Sequence, residues 1–441
     1  MNQNVMLQPP TAPASDPVAI EEHAYGKVFR RVVPFIMICY VVAYLDRINV
    51  GFAKLQMEID LGFSQTVYGL GAGLFFIGYF FFEVPSNLIM YRVGARIWIA
   101  RIMITWGLLS ACFVFVKTPV WFYTLRFLLG AAEAGFYPGV ILYLTYWYPD
   151  RRRAAIVATF MAAIPIAGIF GNPLSGWIMD SFDQFAGMRG WQWMFVIEAL
   201  PAVLLGICVL FFLNNGIREA RWLTEEEKLL LERNIAADAG GKKKSPHSLW
   251  GVLKDHRVWI MSAIYFCFVM GQYGLTFWMP TLVKATGVQG NFMTGLLSAI
   301  PFLVAVVVMI LCGRSADRHR ERRWHLVIPA FCGAVGFVVA AFTANNTAIA
   351  ITFLSLAAAG VLTCAPLFWS LPTSFLRGSA AAAGIAAVNS IGNLAGFVSP
   401  YLIGFLKDFT HDNRTGMYML AGMLVLGALL VLKTRPEDVN R

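Results

Sequence analysis

Four ionisable residues stand inside stretches that are otherwise apolar. Asp46 and Arg47 lie in VVAYLDRINVGFA, Val41 to Ala53, and Arg126 and Glu133 lie in the run from Val120 to Trp147. A charge at bilayer depth costs about 2.5–3.5 kcal/mol on insertion scales, so such groups are usually paired, inward-facing and functional. Tyr40, Tyr44 and Arg47 follow i, i+4, i+7 spacing and share one helix face, which sets a guanidinium beside two phenols. Seven residues make two helical turns, so Arg126, Gly130, Glu133 and Tyr137 are expected on one face, with the two charges about 10 Å apart along the axis. Counted from the expected helix ends, Arg126 lies about 9 Å and Arg47 about 8 Å from the same side of the bilayer. Two guanidinium groups at one height suit a carboxylate or dicarboxylate, because the planar fork binds it bidentately and stays charged. No other basic residue is expected at that depth. The alternative is a structural pair, Arg126 with Glu133 or with Asp46.

Asp46 and Glu133 are the candidate proton carriers. A carboxyl group in a low-dielectric site favours its neutral form, while a neighbouring arginine favours the ionised one. An anion that occupies the arginines removes the second influence, so anion binding and protonation favour each other, and linkage makes that coupling reciprocal. Glu133 is the better placed by depth; Asp46 can instead hold Arg47 in position. Two further acids, Glu83 before Pro85 and Glu198 before Pro201, have no basic neighbour at i±3 or i±4 and read as structural, with the Arg92 or Arg96 loop the partner expected for Glu83. The second half of the chain offers only neutral candidates: Gln272 and Tyr273, Trp369 and Ser370, and Asn389 and Asn393 one turn apart. Interhelical hydrogen bonding within the membrane is the competing use of the asparagines and serine.

The elements that position these groups follow from composition. The 441 residues are 58% hydrophobic and 14% charged, where a soluble protein carries about 25% charged, so this is an integral membrane protein. Apolar runs long enough to cross a bilayer as helices occur twelve times, near 31–52, 66–89, 97–116, 120–147, 154–178, 191–213, 257–281, 293–312, 325–343, 347–371, 379–403 and 415–433. Most of the 35 Lys and Arg fall in alternate connections, including Arg151 to Arg153, Lys242 to Lys244 and the group from Arg314 to Arg323, which places both termini in the cytoplasm. The net charge of +10 is distributed between apolar runs and not along a basic stripe, which excludes nucleic acid as a partner. Seven cysteines without a C-x-x-C read as buried apolar residues. No H-E-x-x-H or mid-span histidine suggests a metal, and no cofactor is expected. The glycines Gly69, Gly71, Gly73 and Gly78 mimic a nucleotide fingerprint, but no strand precedes them.

The expected organisation is a cytoplasmic tail (1–28), a six-helix bundle (29–213), a cytoplasmic loop (214–256), a second six-helix bundle (257–433) and a second tail (434–441). Within the loop, Thr224 and Glu227 form a T-x-x-E capping box that starts a short helix, and Gly240, Gly241 and the lysines read as flexible linker. The halves repeat: N-L-I-M-Y-R-V-G-A-R (Asn87 to Arg96) and G-R-S-A-D-R (Gly313 to Arg318) follow the second span of each half. The second copy resembles the G-x-x-x-D-R loop signature of the major facilitator superfamily, and in the first copy Tyr91 stands where the aspartate would be. The stretches YLDRINVGFA, FFEVPSNLIMYRVGARIWIARI, RFLLGAAEAGFYPG and WQWMFVIEALPAVLLG are together similar to its anion:cation symporter family. That resemblance implies an all-α fold of two bundles, a substrate between them, and gating loops that carry Arg92, Arg96, Asp317 and Arg318. It also implies a monomeric proton symporter for an organic acid such as a tartrate-like, aromatic or sugar acid, in a bacterial inner membrane. The competing classes are a proton-linked exporter of amphipathic compounds and a membrane sensor. Gly392-x-x-x-Gly396, and the group Gly168, Gly171, Pro173 and Gly176, are expected to serve helix packing.

Overall fold

A computed structural model describes residues 17–240, 255–375 and 379–435. The first half contains α1 (Pro17–Ile48), α2 (Val50–Leu61), α3 (Gln65–Val93), α4 (Ala95–Ala111), α5 (Pro119–Glu133), α6 (Phe136–Thr145), α7 (Asp150–Met161), α8 (Ala163–Ser181) and α9 (Gly190–Phe212). After α10 (Glu225–Gly240), the second half contains α11 (His256–Lys284), α12 (Asn291–His319), α13 (Arg323–Phe342), α14 (Thr347–Phe368), α15 (Ser370–Phe375), α16 (Ser379–Asn393), α17 (Ala395–Thr410) and α18 (Arg414–Leu432). Among the described residues, eleven helical stretches are long and apolar enough to cross a membrane. The pair α16 and α17, interrupted at Leu394, stands where the eleventh of the twelve spans is expected. Helices satisfy their backbone groups internally, which is what a hydrocarbon environment demands. Apolar side chains such as Phe81, Val120 and Phe211 point outward.

Local chemistry sets the ends. Ser64 caps α3 by accepting from Val67 N at 3.2 Å, and Thr118 caps α5 just before Pro119. The loop between the second and third spans is a single residue, Gly94, at φ +96°, a left-handed conformation that glycine enters without steric penalty. The T-x-x-E capping box forms as expected: Thr224 N donates to Glu227 Oε2 (2.9 Å) and Glu227 N to Thr224 Oγ1 (3.2 Å).

Three boundaries differ from expectation. The first helix begins at Pro17, inside the expected tail, because its early turns have a partner: Lys27 reaches Glu227 of α10 at 2.8 Å, and Tyr25 stacks on Tyr148. Burial opposes ionisation of Glu227, but Lys27, the Thr224 N–H and His23 outweigh it and hold the carboxyl below its usual range. The helix of the central loop is thus docked on the first half, and it continues through Gly240; residues 241–254 lie outside the described set. The first span does not stop near residue 52 either: after a break at Asn49 it continues as α2 to Leu61, capped by Gly62.

The halves pack with α3 along α17 and α8 along α12. The glycines of the second span explain themselves here, since a Cβ on Gly69 would lie 2.3 Å from the Pro400 carbonyl oxygen and one on Gly73 2.7 Å from that of Phe397. Gly176 likewise meets the backbone of Asn291. Gly392 and Gly396 also serve packing, but against the rings of Tyr265 and Phe76. Hydrogen bonds tie the halves together towards the end opposite the termini. Asp408 accepts from Gln65 N (3.1 Å) and Thr66 N (2.7 Å), Asp180 accepts from Asn291 N (2.8 Å) and Phe292 N (2.7 Å), and Lys54 donates to Thr281 (3.1 Å).

Candidate functional site

Arg47 sits on the last turn of α1, where the helix breaks, and its guanidinium reaches across to α5 and α11. It forms an ion pair with Glu133 and donates to the Tyr273 hydroxyl at 3.5 Å, and the rings of Tyr44, Phe75 and Tyr79 surround it at 5.6, 5.2 and 5.6 Å. Arg47 is 7% exposed and Glu133 2%, so this charge pair is desolvated, and breaking it by losing one partner would strand the other. Tyr40 packs edge-on against Tyr44, as the shared face implies, and Tyr44 comes within interaction range of Gln272 and Thr276 on α11. Arg47, Tyr44, Tyr40, Glu133, Gln272 and Tyr273 are therefore brought together, from both halves.

Arg126 is fully buried one helix away. Its Nε donates to Gly71 O and its Nη2 to Ala72 O, both at 3.3 Å, while Nη1 has no protein partner. Both guanidinium groups lie against one ring, Phe75, at 5.2 Å from Arg47 and 5.1 Å from Arg126. The chain-counted depth of Arg47 is corrected: with α2 included, Arg47 lies about 21 Å from the helix end and Arg126 about 10 Å from its own. Their proximity rests on the shared ring and not on matched heights.

The expected common face of Arg126, Gly130, Glu133 and Tyr137 is also corrected. Helix α5 ends at Glu133, and Gly135 at φ +88° breaks the span before α6. Tyr137 lies beyond that break and joins a ring cluster with Tyr40 (5.8 Å) and Phe160 (6.0 Å). Trp369 occupies a break as well, between α14 and α15, and Ser370 opens α15. Trp369 packs on Tyr265 at 4.8 Å, and Ser370 donates to Leu367 O at 2.7 Å. Asn389 and Asn393 lie half-buried on α16.

The expected gating-loop residues Asp317 and Arg318 lie in the last turns of α12 and Arg92 in the last turn of α3; Asp317 accepts from Arg322 at 2.5 Å, and Arg318 and Arg92 are exposed. The Arg96 backbone N–H donates to Asn215 Oδ1 at 3.1 Å. No ion pair among the described residues joins Glu83 to Arg92 or Arg96.

Sequence reasoning missed several members. Lys54 is 1% exposed, so the expectation of only two deep basic residues is overturned. It pairs with Glu58 at 2.9 Å, donates to Thr281 and lies 3.9 Å over the Trp278 ring. A signal existed, since Lys54 is seven residues after Arg47 on the same stripe, but ending the span at residue 52 placed it outside. Asn49, Ser110 and Ser175 were also missed. Ser110 donates to Asp46 Oδ1, and Asn49 Nδ2 lies 3.3 Å from that oxygen and 3.0 Å from Glu198 Oε2. Ser175 donates to Glu198 Oε1 at 2.6 Å. Asp46 thus belongs to a network directed away from Arg47.

The chain matches the profile of the Major Facilitator Superfamily over residues 36–400. It is 49% identical over 424 residues to a protein of Agrobacterium vitis described as a candidate tartrate transporter, covering 95% of this chain and 97% of that one. It is 40% identical over 411 residues to a quinolone resistance transporter of Acinetobacter baumannii, covering 93% and 94%. In structure it resembles the xylose transporter XylE from E. coli in a partially occluded, inward-open conformation, with TM-score 0.73 and 16% identity over 93% of this chain and 98% of that one.

Proposed function

The chain belongs to the major facilitator superfamily, a multi-pass membrane transporter and not an enzyme, and from that premise we propose that it imports an organic acid anion by proton symport. The observation that carries this reading is the buried Arg47–Glu133 pair, set where a Tyr273 hydroxyl from the other half also meets the guanidinium. A substrate carboxylate competes with Glu133 for Arg47. When it wins, Glu133 loses its counterion in a low-dielectric site and takes up a proton, so anion and proton are carried together. Arg126 offers Nη1 as a second donor to the same anion, or to the far carboxylate of a dicarboxylate. Because Tyr273 lies on the second half, the occupant of Arg47 is sensed across the plane along which the halves rock. The alternate Lys and Arg clusters support cytoplasmic termini, a reading in which the stitched end of the bundle is the outer one. The 49% relative supports a tartrate-like acid as substrate.

The test is uptake into proteoliposomes. An imposed inward proton gradient should accumulate labelled tartrate or another acid found by a counterflow screen. A requirement for a sodium gradient would overturn the proton assignment. The quinolone resistance relative favours a second reading, proton-linked export of amphipathic compounds. Quinolone efflux that survives loss of Arg47, with no uptake of any carboxylate, would select it.

A further inference from the structure

Glu83 of α3 has no part in the mechanism above, yet it stands on the wall of the site. It is half-buried; Asn87 Nδ2 donates to its backbone carbonyl at 3.0 Å, and among the described residues no hydrogen bond or ion pair engages its carboxyl. Phe76, Tyr79 and Glu83 follow i, i+3, i+7 spacing and so form one stripe of α3. The Phe76 ring packs on Tyr273 of the second half at 4.4 Å, and the Tyr79 ring lies 5.6 Å from the Arg47 guanidinium. Glu83 continues that stripe by one turn, about 6 Å, towards the end opposite the stitched one. Phe81, Val84 and Leu88, on other faces of the same turns, are exposed.

The next turn of α3 fixes what Glu83 faces. A Cβ on Gly135 would lie 2.3 Å from Ser86 Oγ, so this part of α3 presses against the break between α5 and α6, the break that follows Glu133. Helical side chains lean towards their own N-terminus, which for α3 is the stitched end, so the Glu83 carboxyl reaches back towards Tyr79. The Tyr79 hydroxyl feels Glu83, Arg47 of α1, Glu133 of α5 and Tyr273 of α11 together. Arg92 of α3 and Arg96 and Arg101 of α4 make no ion pair with Glu83 among the described residues. A carboxyl at this point opposes a departing anion while ionised and lets it pass once protonated.

We propose that Glu83 is the proton-release residue of the cycle, the carboxyl that receives the proton of Glu133 across the Tyr79 hydroxyl before it enters the cytoplasm. The O–H bond of Glu133 breaks and one forms on Glu83, while Tyr79 gives up one proton, accepts another and ends unchanged. Glu133, ionised again, reclaims Arg47 and displaces the substrate carboxylate, and neutral Glu83 leaves the exit free of like charge. Glu83 then loses its proton to water. This role rests on the symport reading and adds to it a second carboxyl and a route of release.

The experiment uses the full-length protein in proteoliposomes, with an imposed inward proton gradient and labelled tartrate or the acid that the counterflow screen selects. Net uptake requires a proton to be released inside at every turn, whereas exchange of internal for external acid can run with the proton kept. Glu83→Gln should slow net uptake by at least about tenfold, less than the hundredfold or more of a positioned proton-transfer group because water still carries some protons. Exchange should stay at the parent rate. The final accumulation ratio should also be unchanged, because a release residue sets rate and not stoichiometry. Net uptake at the parent rate, or net uptake and exchange falling together, overturns the role. If Glu83→Gln does not fold, Glu83→Asp keeps an acid but withdraws it from Tyr79 by one methylene. Net uptake must then fall relative to exchange, and an unchanged ratio is equally fatal. Failure of the symport reading looks different: the parent itself would show no proton-driven uptake, which removes this role along with it.

Discussion

The two halves share a topology but divide the polar work unequally. In the first, Asp46, Arg47, Lys54, Arg126, Glu133 and Glu198 are all buried, whereas among the described residues of the second the buried polar side chains are hydroxyls and one amide. Several of the hydroxyls satisfy themselves within their own helix. Ser262 donates to Val258 O, Ser298 to Thr294 O and Ser355 to Ile351 O, each four residues back. Lys54 pairs with Glu58 inside α2, but Asp46, Arg47, Arg126, Glu133 and Glu198 all reach other helices. One half is therefore charged in its interior and the other presents it with a neutral wall: among the described residues, none of these buried charges forms an ion pair with the second half. Where Arg47 and Lys54 hydrogen-bond the second half, their partners are neutral, Tyr273 for Arg47 and Thr281 for Lys54.

If the first half performs the chemistry, Glu133→Gln has the largest effect. It mimics the protonated carboxyl, so gradient-driven accumulation in proteoliposomes should be lost while exchange of labelled acid across the membrane continues. Uphill uptake at the parent rate would move the proton to the Asp46 cluster. Next comes Arg47→Lys, which keeps the charge and loses the fork. At about 1.5–3 kcal/mol per charge-assisted hydrogen bond, anion affinity should fall by roughly one to two decades. Arg126→Lys should weaken binding less and lower thermal stability more, because two of its donors hold the Gly71 and Ala72 carbonyls. Measuring affinity and melting on the same purified variants separates the two arginines, and equal affinity losses would restore a symmetric clamp.

Lys54→Met probes the seam and not the site. It removes a buried cation over Trp278 and the hydrogen bond to Thr281, together worth about 2 kcal/mol, so closure of the stitched end should weaken by roughly tenfold to thirtyfold. Spin-label distances between the distal ends of α8 and α12, in a cysteine-free background, would report a shift towards the open population. An unchanged distribution would mean that the Asp180 and Asp408 contacts hold that end alone.

Much of this division was legible in the sequence, because charge in an apolar run is rare enough to be read directly. Arg47, Arg126 and Glu133 stand out, and the capping box and the repeated loops locate the linker and the halves. What stayed hidden depends on where helices break. A span that ends at Asn49 and resumes as α2 has the same hydropathy as one that ends near residue 52, so Lys54 was placed outside. The break at Gly135 separates Tyr137 from Glu133, although a continuous helix would align them. Asn49, Ser110 and Ser175 carry no signal of their own, since small polar residues are common helix packing groups and only proximity to Asp46 and Glu198 gives them meaning.

The smallest predicted effect sharpens the comparison most. Tyr273→Phe removes one hydroxyl from the neutral wall and keeps the ring that packs on Phe76 at 4.4 Å. The hydroxyl accepts from a guanidinium at 3.5 Å, a long contact in a site where Glu133 already satisfies part of Arg47. An ordinary hydrogen bond contributes about 0.5–1.5 kcal/mol, so anion affinity should fall only about twofold to tenfold. Its effect on turnover should be proportionally greater. This hydroxyl is the second half's hydrogen bond to Arg47, so without it the second half loses its polar link to the occupant of the guanidinium. A fall in the maximal exchange rate larger than the loss of affinity would show the wall to be a sensor. A fall in affinity alone would leave it passive, and the division of labour between the halves would then be complete.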